Sequence, residues 1–110
     1  MVTAETAAKL VENIKVTCEN YKKTVLAEMS LEDNRARVKM AAVQKIMRAG
    51  DNPMTGKPHS YSSAEAIVNT ESEYADYLAK MREAAANRIS ARGAYDAALA
   101  EARLMSAVTA

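Results

Sequence analysis

Residues 50–63 read GDNPMTGKPHSYSS and separate two long stretches whose composition is typical of helices. This segment contains both prolines, two of the three glycines and the only histidine of the chain. Proline lacks an amide donor and glycine loses the most backbone entropy on folding, so both interrupt helices. The segment therefore predicts a connection between two helical arms. Its specialised composition also makes it the first candidate for a functional segment.

The composition on either side of this connection favours helices. The chain has 110 residues and no Trp or Phe, and it is rich in Ala, Glu, Lys, Arg and Met. This bias is typical of long helices and coiled coils. Strands are not expected, because β-branched and aromatic residues do not alternate with a period of two. We therefore predict an all-α fold and, from the length, a single helical domain over residues 1–110.

The first helical arm is predicted over about residues 4–49, with Thr3 as its N-terminal cap and Gly50 after its end. Its apolar residues follow the heptad spacing of a coiled-coil seam, namely Ala7, Val11, Ile14, Cys18, Tyr21 and Val25. Ser30 and Asp33 resemble a capping box, which favours a break or kink there over one continuous helix with a stutter. The stripe resumes at Ala36, Met40, Val43 and Met47.

The connection is predicted as a loop over residues 50–61, with a tight turn at Thr55 and Gly56. Ser62 and Glu65 have the spacing of a capping box, which predicts a short helix over residues 62–69. A second box over residues 70–73 places acidic residues in a first helical turn. It predicts a long helix over residues 71–106.

The long helix combines an apolar seam with two arginines. The seam residues are Tyr74, Leu78, Met81, Ala85, Tyr95, Leu99 and Ala102. The same heptad frame places Arg88 and Arg92 at seam positions. If they lie there, they must pair with acids or face a groove used by a partner, and a rotated helix would expose them instead. Small residues crowd this region, and the helical cost of Gly93 would be compensated by close approach of another helix.

These elements predict an antiparallel helical hairpin, a coiled-coil-like bundle in which two arms of similar length fold back on each other. Two helices leave much of an apolar stripe uncovered. A homodimer that completes a four-helix assembly would cover this stripe. If Ser30 breaks the first arm, a monomeric three-helix bundle is the alternative.

A run of basic residues gives the clearest charge pattern, although the formal net charge is only +1. Residues 34–49 contain no acidic residue. The basic side chains of this segment and the loop could contact phosphates, and they are Arg35, Arg37, Lys39, Lys45, Arg48 and Lys57. A solvated helix face, basic near the negative end of the helix dipole, is the simpler interpretation.

Catalysis and metal binding have little support in the sequence. Five residues separate Gly50 from Gly56, and Pro58 follows Lys57, so the phosphate-binding loop motif does not fit. One histidine and one cysteine make no metal-ligand set. Cys18 fits a small core residue, and His59 fits a hydrogen-bonding loop residue. We therefore expect no enzyme activity, no catalytic residues, no metal and no cofactor.

The expected location is the cytoplasm. The first residues lack a basic region followed by an apolar run, so no secretory signal is expected. No apolar stretch approaches the roughly 20 residues that cross a bilayer, so no membrane partner is expected either. Cys18 cannot form an intrachain disulfide, which fits a reducing compartment.

The loop resembles a segment of small helical accessory proteins of tailed bacteriophages and prophages. The resemblance lies in residues 52–60, NPMTGKPHS, together with Ser63, Ala64 and Glu65. The Ala/Arg-rich long helix matches more loosely. The resemblance implies a phage accessory protein that acts on DNA or on a DNA-processing protein in the host-cell cytoplasm. It carries no catalytic residue over to this chain.

Together these features predict a non-enzymatic protein that binds a protein partner in DNA recombination, DNA replication or host-defence inhibition. The helices would form the scaffold. The loop would form the recognition site, through Asn52, Thr55, Lys57, His59 and Tyr61. The alternative is a nucleic-acid-binding helical protein that uses the basic segment of residues 35–57.

Overall fold

The all-α helical hairpin is confirmed by a computed structural model, which describes residues 3–109 and, at Thr109, the backbone only. Its elements are α1 (Ala4–Ala49), β1 (Asp51–Asn52), β2 (Lys57–Pro58), α2 (Tyr61–Ile67), a 3₁₀ turn (Val68–Thr70) and α3 (Ser72–Thr109). Met1, Val2 and Ala110, at the ends of the predicted domain, lie outside the described residues. The packing divides the chain into two compact units, and α1 and α3 each contribute to both.

Helix α1 begins where the sequence predicted, but it does not break at Ser30. The Thr3 hydroxyl accepts a hydrogen bond from the Thr6 amide at 3.0 Å, which caps the helix. The helix then continues without interruption to Ala49. Asn34 donates from its side-chain amide to the Ser30 carbonyl at 2.8 Å within the same helix. The predicted break is therefore wrong, because the surrounding good helix formers outweigh one capping-box pattern.

The short helix begins one residue earlier than predicted, and its cap is Ser60 instead of Ser62. Ser60 has an extended backbone, and its hydroxyl accepts from the Ser63 amide at 3.2 Å. Helix α3 is capped by Glu71, whose carboxylate accepts from the Tyr74 amide at 2.8 Å. The predicted cap, Thr70, instead donates its hydroxyl to the Ile67 carbonyl at 2.6 Å. The side chains of Ser60, Thr70 and Glu71 thus bond to backbone groups at or near the helix ends.

The loop unit, residues 29–83, has a core built from three helices. Five buried residues form this core, namely Ala42, Val43, Ala64, Val68 and Tyr74. The hydroxyl of Tyr77 donates to the Leu31 carbonyl at 2.5 Å, which ties α3 to α1. Helix α2 covers the helix pair, so large side chains can be removed from water here.

The terminal unit, residues up to 28 and from 84 onward, consists of stretches of α1 and α3 that pack antiparallel. Its described buried residues are Ala84 and Ala98, which are both small. A Cβ built at Gly93 would meet nothing within 4 Å. The expected close helix approach at Gly93 is therefore absent within the described chain.

The predicted seam of α3 is confirmed, whereas that of α1 is only partly correct. The predicted α3 residues are all buried or half-buried. On α1, Ala7 and Val11 are exposed instead, as are Ala36, Met40 and Met47. Between residues 10 and 28, the half-buried residues are Leu10, Ile14, Thr17, Cys18, Tyr21, Thr24, Val25 and Glu28. The first part of the predicted α1 seam is therefore confirmed at Ile14, Cys18, Tyr21 and Val25 and wrong at its first two residues. The polar residues Thr17, Thr24 and Glu28 are half-buried beside it.

Candidate interaction site

The connection between the helices forms a small β-hairpin instead of an irregular loop. Its strands pair antiparallel, with Asp51 opposite Pro58 and Asn52 opposite Lys57. These two-residue strands were not expected from the sequence, because a pair this short shows no alternating pattern. The helix ends before Gly50, as predicted, and Gly50 itself has a φ of 153°. Four residues, 53–56, then form the turn of the hairpin.

The turn is held by hydrogen bonds within the segment itself. The Asn52 carbonyl accepts from the amides of Thr55 at 3.2 Å and Gly56 at 2.8 Å. The Asn52 side-chain oxygen accepts from the Met54 amide at 2.9 Å, and the Thr55 hydroxyl accepts from the Lys57 amide at 3.3 Å. Gly56 has a φ of 67°, where a side chain would be strained, which confirms the predicted turn. The tip is therefore pre-formed.

His59 joins the hairpin to the start of α2. Its Nδ1 lies 3.0 Å from the Ser63 hydroxyl oxygen, and that hydroxyl donates to the Ser60 carbonyl at 3.1 Å. Since the Ser63 proton is used in that bond, we assign Nδ1 as the donor to Ser63 and Nε2 as the acceptor nitrogen. This arrangement gives His59 a hydrogen-bonding role within the loop.

The five predicted partner-binding residues lie in this one segment but differ in what they can offer. Asn52 and His59 are half-buried, and with Thr55 they form the local bonds described above. Lys57 and Tyr61 are exposed and can meet a partner directly.

Met54 is the residue that the sequence interpretation missed. Its side chain is 90% exposed at the tip of the turn. A large apolar side chain in that position has almost no contact with its own chain, which makes it a candidate anchor for a partner. The available signal was one apolar residue inside an otherwise polar turn.

The basic segment is partly neutralised by acidic residues of α1, of α2 and of the start of α3. Arg35 pairs with Glu32 at 3.3 Å and Lys39 pairs with Glu65 of α2 at 3.6 Å. Lys45 bridges Glu71 at 3.0 Å and Glu73 at 3.3 Å near the start of α3. The absence of acids in the local sequence therefore overstated the positive charge of this surface.

Arg37 and Arg48 keep a different environment from these paired residues. They donate to the side-chain oxygens of Asn34 at 2.9 Å and Gln44 at 3.4 Å, which are neutral groups. Eleven residues separate them, which is about three helical turns, so both lie on one side of α1. With Lys57, they are the members of the predicted nucleic-acid set whose charge is least balanced by the contacts described.

The charges at the start of α3 reinforce one another. The Tyr74 amide, with help from the Lys45 ammonium, lowers the pKa of the Glu71 carboxyl. Hydrogen bonds to Glu71 and Glu73 raise the pKa of Lys45. The Tyr74 hydroxyl and the Glu32 carboxylate raise the pKa of Arg35. The shifts favour the charged forms of Arg35, Lys45 and Glu71, which lie where α1 and α3 meet within the loop unit.

The described residues were compared with the requirements of a metal site and of a membrane-spanning helix. Within residues 3–109 we find no group of three or more His, Cys, Asp or Glu side chains placed to hold a metal ion. No helix in this range has the length and apolar character needed to cross a membrane. Comparison with protein-family models, curated proteins and solved structures finds no match. The site is therefore interpreted from its own geometry.

Proposed function

We propose that this chain is a non-enzymatic interaction protein that binds a protein partner through the tip of its β-hairpin. The observation that carries this proposal is Met54, which is 90% exposed on a turn fixed by hydrogen bonds. Burial of one such side chain contributes about 1.5 to 3 kcal/mol. Because the turn is already formed, little of this is lost to ordering on binding. Methionine is also enriched in the cores of protein interfaces.

The other predicted residues divide into two roles under this proposal. Lys57 and Tyr61 would contact the partner beside Met54, because both are exposed. Asn52, Thr55 and His59 would position the tip through their bonds to the backbone and to Ser63. Substitution of the second group would weaken binding by loosening the turn.

The setting of this proposal comes from the resemblance of residues 52–60 to phage accessory proteins. In that setting the chain acts in the host-cell cytoplasm as a homodimer. Its partner is then a protein of DNA recombination or replication, or a host-defence protein that it inhibits.

Direct binding of nucleic acid is the second candidate. Arg37, Arg48 and Lys57 support it, since the described contacts of the two arginines are with neutral oxygens. The other three predicted residues are paired with carboxylates, namely Arg35, Lys39 and Lys45. These pairs lower the positive potential that would attract a nucleic acid. A binding constant that falls steeply with salt would identify this mode.

Quantitative affinity capture from bacterial lysate tests the protein-binding proposal with four baits. They are the unaltered chain, Met54→Asp, Met54→Leu and Met29→Asp, where Met29 is an exposed methionine of α1. We expect at least one protein to be retained by the unaltered chain, Met54→Leu and Met29→Asp, with retention reduced about tenfold or more by Met54→Asp. If Met54→Asp retains the same proteins at the same level, the tip is not the binding site.

The same four proteins should be titrated with single- and double-stranded oligonucleotides across a salt series. Under the leading proposal, binding of the oligonucleotides is weak and independent of Met54. Salt-sensitive binding that is lost in Arg37→Gln and Arg48→Gln, but unaffected by Met54→Asp, would replace it with the nucleic-acid mode.

A further inference from the structure

Helix α1 carries two neighbouring stripes in the terminal unit, and the first part of one of them is exposed. The inner stripe packs against α3 and consists of Leu10, Ile14, Thr17, Tyr21, Thr24 and Glu28. The outer stripe lies beside it and consists of Ala7, Val11, Cys18 and Val25. With Ile14 and Tyr21, which border both stripes, the outer stripe completes a regular heptad repeat.

The outer stripe is the more apolar of the two, yet Ala7 and Val11 are exposed, while Cys18 and Val25 are half-buried. Half of the inner stripe is polar, whereas the four outer residues carry no polar side-chain group apart from one thiol. Val11 is nevertheless 53% exposed, and Leu26, beside Val25, is 64% exposed. A helix normally buries its most apolar stripe, so this arrangement indicates a second helix-binding face.

Two open grooves follow the outer stripe. One is lined by Ala7, Leu10, Val11 and Ile14 of α1 together with Ala102, Met105 and Ser106 of α3, so it also reaches the first residue of the inner stripe. The other is lined by Tyr21, Val25 and Leu26, with Lys22 at its edge. The walls of both are predominantly apolar. They provide the holes into which side chains of another helix can insert.

The exposed area is large enough for a stable dimer. The chain exposes 7830 Å². A folded monomer of this mass exposes about 6,000 Å² on average, so the excess is about 1,800 Å². A specific interface needs about 800 Å² from each partner. The chain can therefore supply a full interface from surface that a typical monomer of its size would have buried.

We propose that the outer stripe packs against the outer stripe of a second copy, so that two terminal units form a four-helix assembly. A heptad stripe is matched by another heptad stripe, and an identical one satisfies this by symmetry. A two-fold axis needs only one patch that pairs with itself, and the proposal assigns this role to the outer stripe. This inference rests on the homodimer of the proposed function and assigns the surface that forms it, and this surface differs from the hairpin tip.

Sedimentation velocity over a concentration series tests the proposal with a matched pair of variants. Val11→Glu places a charge on the outer stripe. Val16→Glu places the same charge on another face of the same helix, at a valine that is 46% exposed. We expect the unaltered chain and Val16→Glu to dimerise as the concentration rises from roughly 1 to 100 μM. Val11→Glu should raise the dissociation constant by about 100-fold or more, since each dimer loses two buried valines.

Circular dichroism of both variants, measured at protein concentrations above and below the dissociation constant, tests whether a loss of dimer is accompanied by a loss of helix. An unaltered chain that stays monomeric throughout the series would overturn the proposal. Equal weakening of the dimer by Val11→Glu and Val16→Glu would overturn it as well. Met54→Asp should dimerise normally, so a failure of the hairpin-tip proposal and a failure of this one give different results.

Discussion

The loop unit and the terminal unit use the same two helices but reach different degrees of burial. In the loop unit, Val43 is 0% exposed and Tyr74 is 2% exposed, because α2 covers the pair formed by α1 and α3. In the described part of the terminal unit, the buried side chains are Ala84 and Ala98. Two helices alone cannot enclose a large side chain from all directions. A third element is needed, and the chain supplies it in only one of the two units.

The polar contacts of the two units differ in the same way. In the loop unit, ion pairs surround an apolar core, as with Lys39 and Glu65. In the terminal unit, an ion pair lies on the packing stripe itself, where Arg88 donates to Glu28 at 2.5 Å. Arg92 is exposed and stacks over the Tyr21 ring at 5.3 Å. Polar groups that replace apolar ones at a helix seam stabilise it less.

Truncation of Tyr74 should have the largest effect of the substitutions that separate the units. Tyr74→Ala removes a buried aromatic ring and should lower the free energy of unfolding by about 3 to 5 kcal/mol. Tyr95→Ala, at a half-buried residue of the terminal unit, should lower it by only about 1 to 2 kcal/mol. Urea denaturation followed by far-UV circular dichroism measures both. Equal losses would mean that the two units are equally well packed, contrary to their burial.

Replacement of the Arg88–Glu28 pair should have a smaller effect, and its sign depends on how many partners are changed. Arg88→Leu alone leaves Glu28 unpaired on the seam and should destabilise the chain by about 1 to 2 kcal/mol. The double variant Glu28→Leu with Arg88→Leu should recover that loss, because two apolar side chains then complete the stripe.

A double-mutant cycle measured by urea denaturation separates these terms. The side chains are 37% and 30% exposed, so the coupling should be about 1 kcal/mol rather than that of a fully buried pair. A double variant that is less stable than either single variant would show that this stripe requires its polar pair. The polar pair of the terminal unit would then select how α1 and α3 align in that unit, instead of being a weaker substitute for apolar packing.

Much of the fold could be predicted from the sequence because the relevant signals are local. Thr3 and Gly50 mark the ends of α1, and Tyr74, Leu78 and Met81 define a stripe on α3 that is buried or half-buried. For Arg88 the sequence left open an acid partner, a groove or exposure, and the structure pairs it with Glu28.

The first two residues of the predicted α1 stripe were misplaced because two stripes compete there. The outer residues Ala7 and Val11 are apolar and gave the heptad pattern, while the inner residues Thr17 and Thr24 gave no apolar signal. Threonine fits the inner stripe because each hydroxyl donates to a carbonyl of its own helix, as Thr24 does to Tyr21 at 2.7 Å. Spacing alone cannot show which of two adjacent stripes meets the intramolecular partner.

The candidate site could be located but not resolved from the sequence. The turn at Gly56 and the special composition pointed to residues 50–63, and the hairpin lies there. The distinction between Met54, which is exposed, and Asn52, which holds the turn, depends on the pairing of the two strands. The acids that pair with Lys39 and Lys45 come from α2 and the start of α3, more than 20 residues along the chain. The sequence predictions of one domain, of no enzyme activity and of the bound partner stay predictions.

Neutralisation of Glu71 should have the smallest effect, and its pH dependence should be diagnostic. The Tyr74 amide lowers the pKa of Glu71 below its ordinary value of 4.5, so the folded state favours the carboxylate. A group with a lowered pKa stabilises the fold above its unfolded pKa and loses that contribution as the pH falls through the folded pKa. Glu71→Gln keeps an oxygen that can accept from Tyr74 but removes the charge. The loss of unfolding free energy caused by Glu71→Gln should be largest at pH 7 and decrease below pH 4.5. It should vanish once the Glu71 carboxyl of the unaltered chain is protonated.

Glu73→Gln is the matched control, because Glu73 bridges the same lysine from a more exposed position. It lacks the bond to the Tyr74 amide, so its effect on stability should be smaller at every pH. Thermal unfolding measured from pH 3 to pH 7 compares the two variants with the unaltered chain. A difference for Glu71→Gln that stays constant across this range would show that the side chain acts through its shape and not its charge. The stable junction of the loop unit would then depend on the core around Val43 and Tyr74, with the helix-terminal charges contributing little.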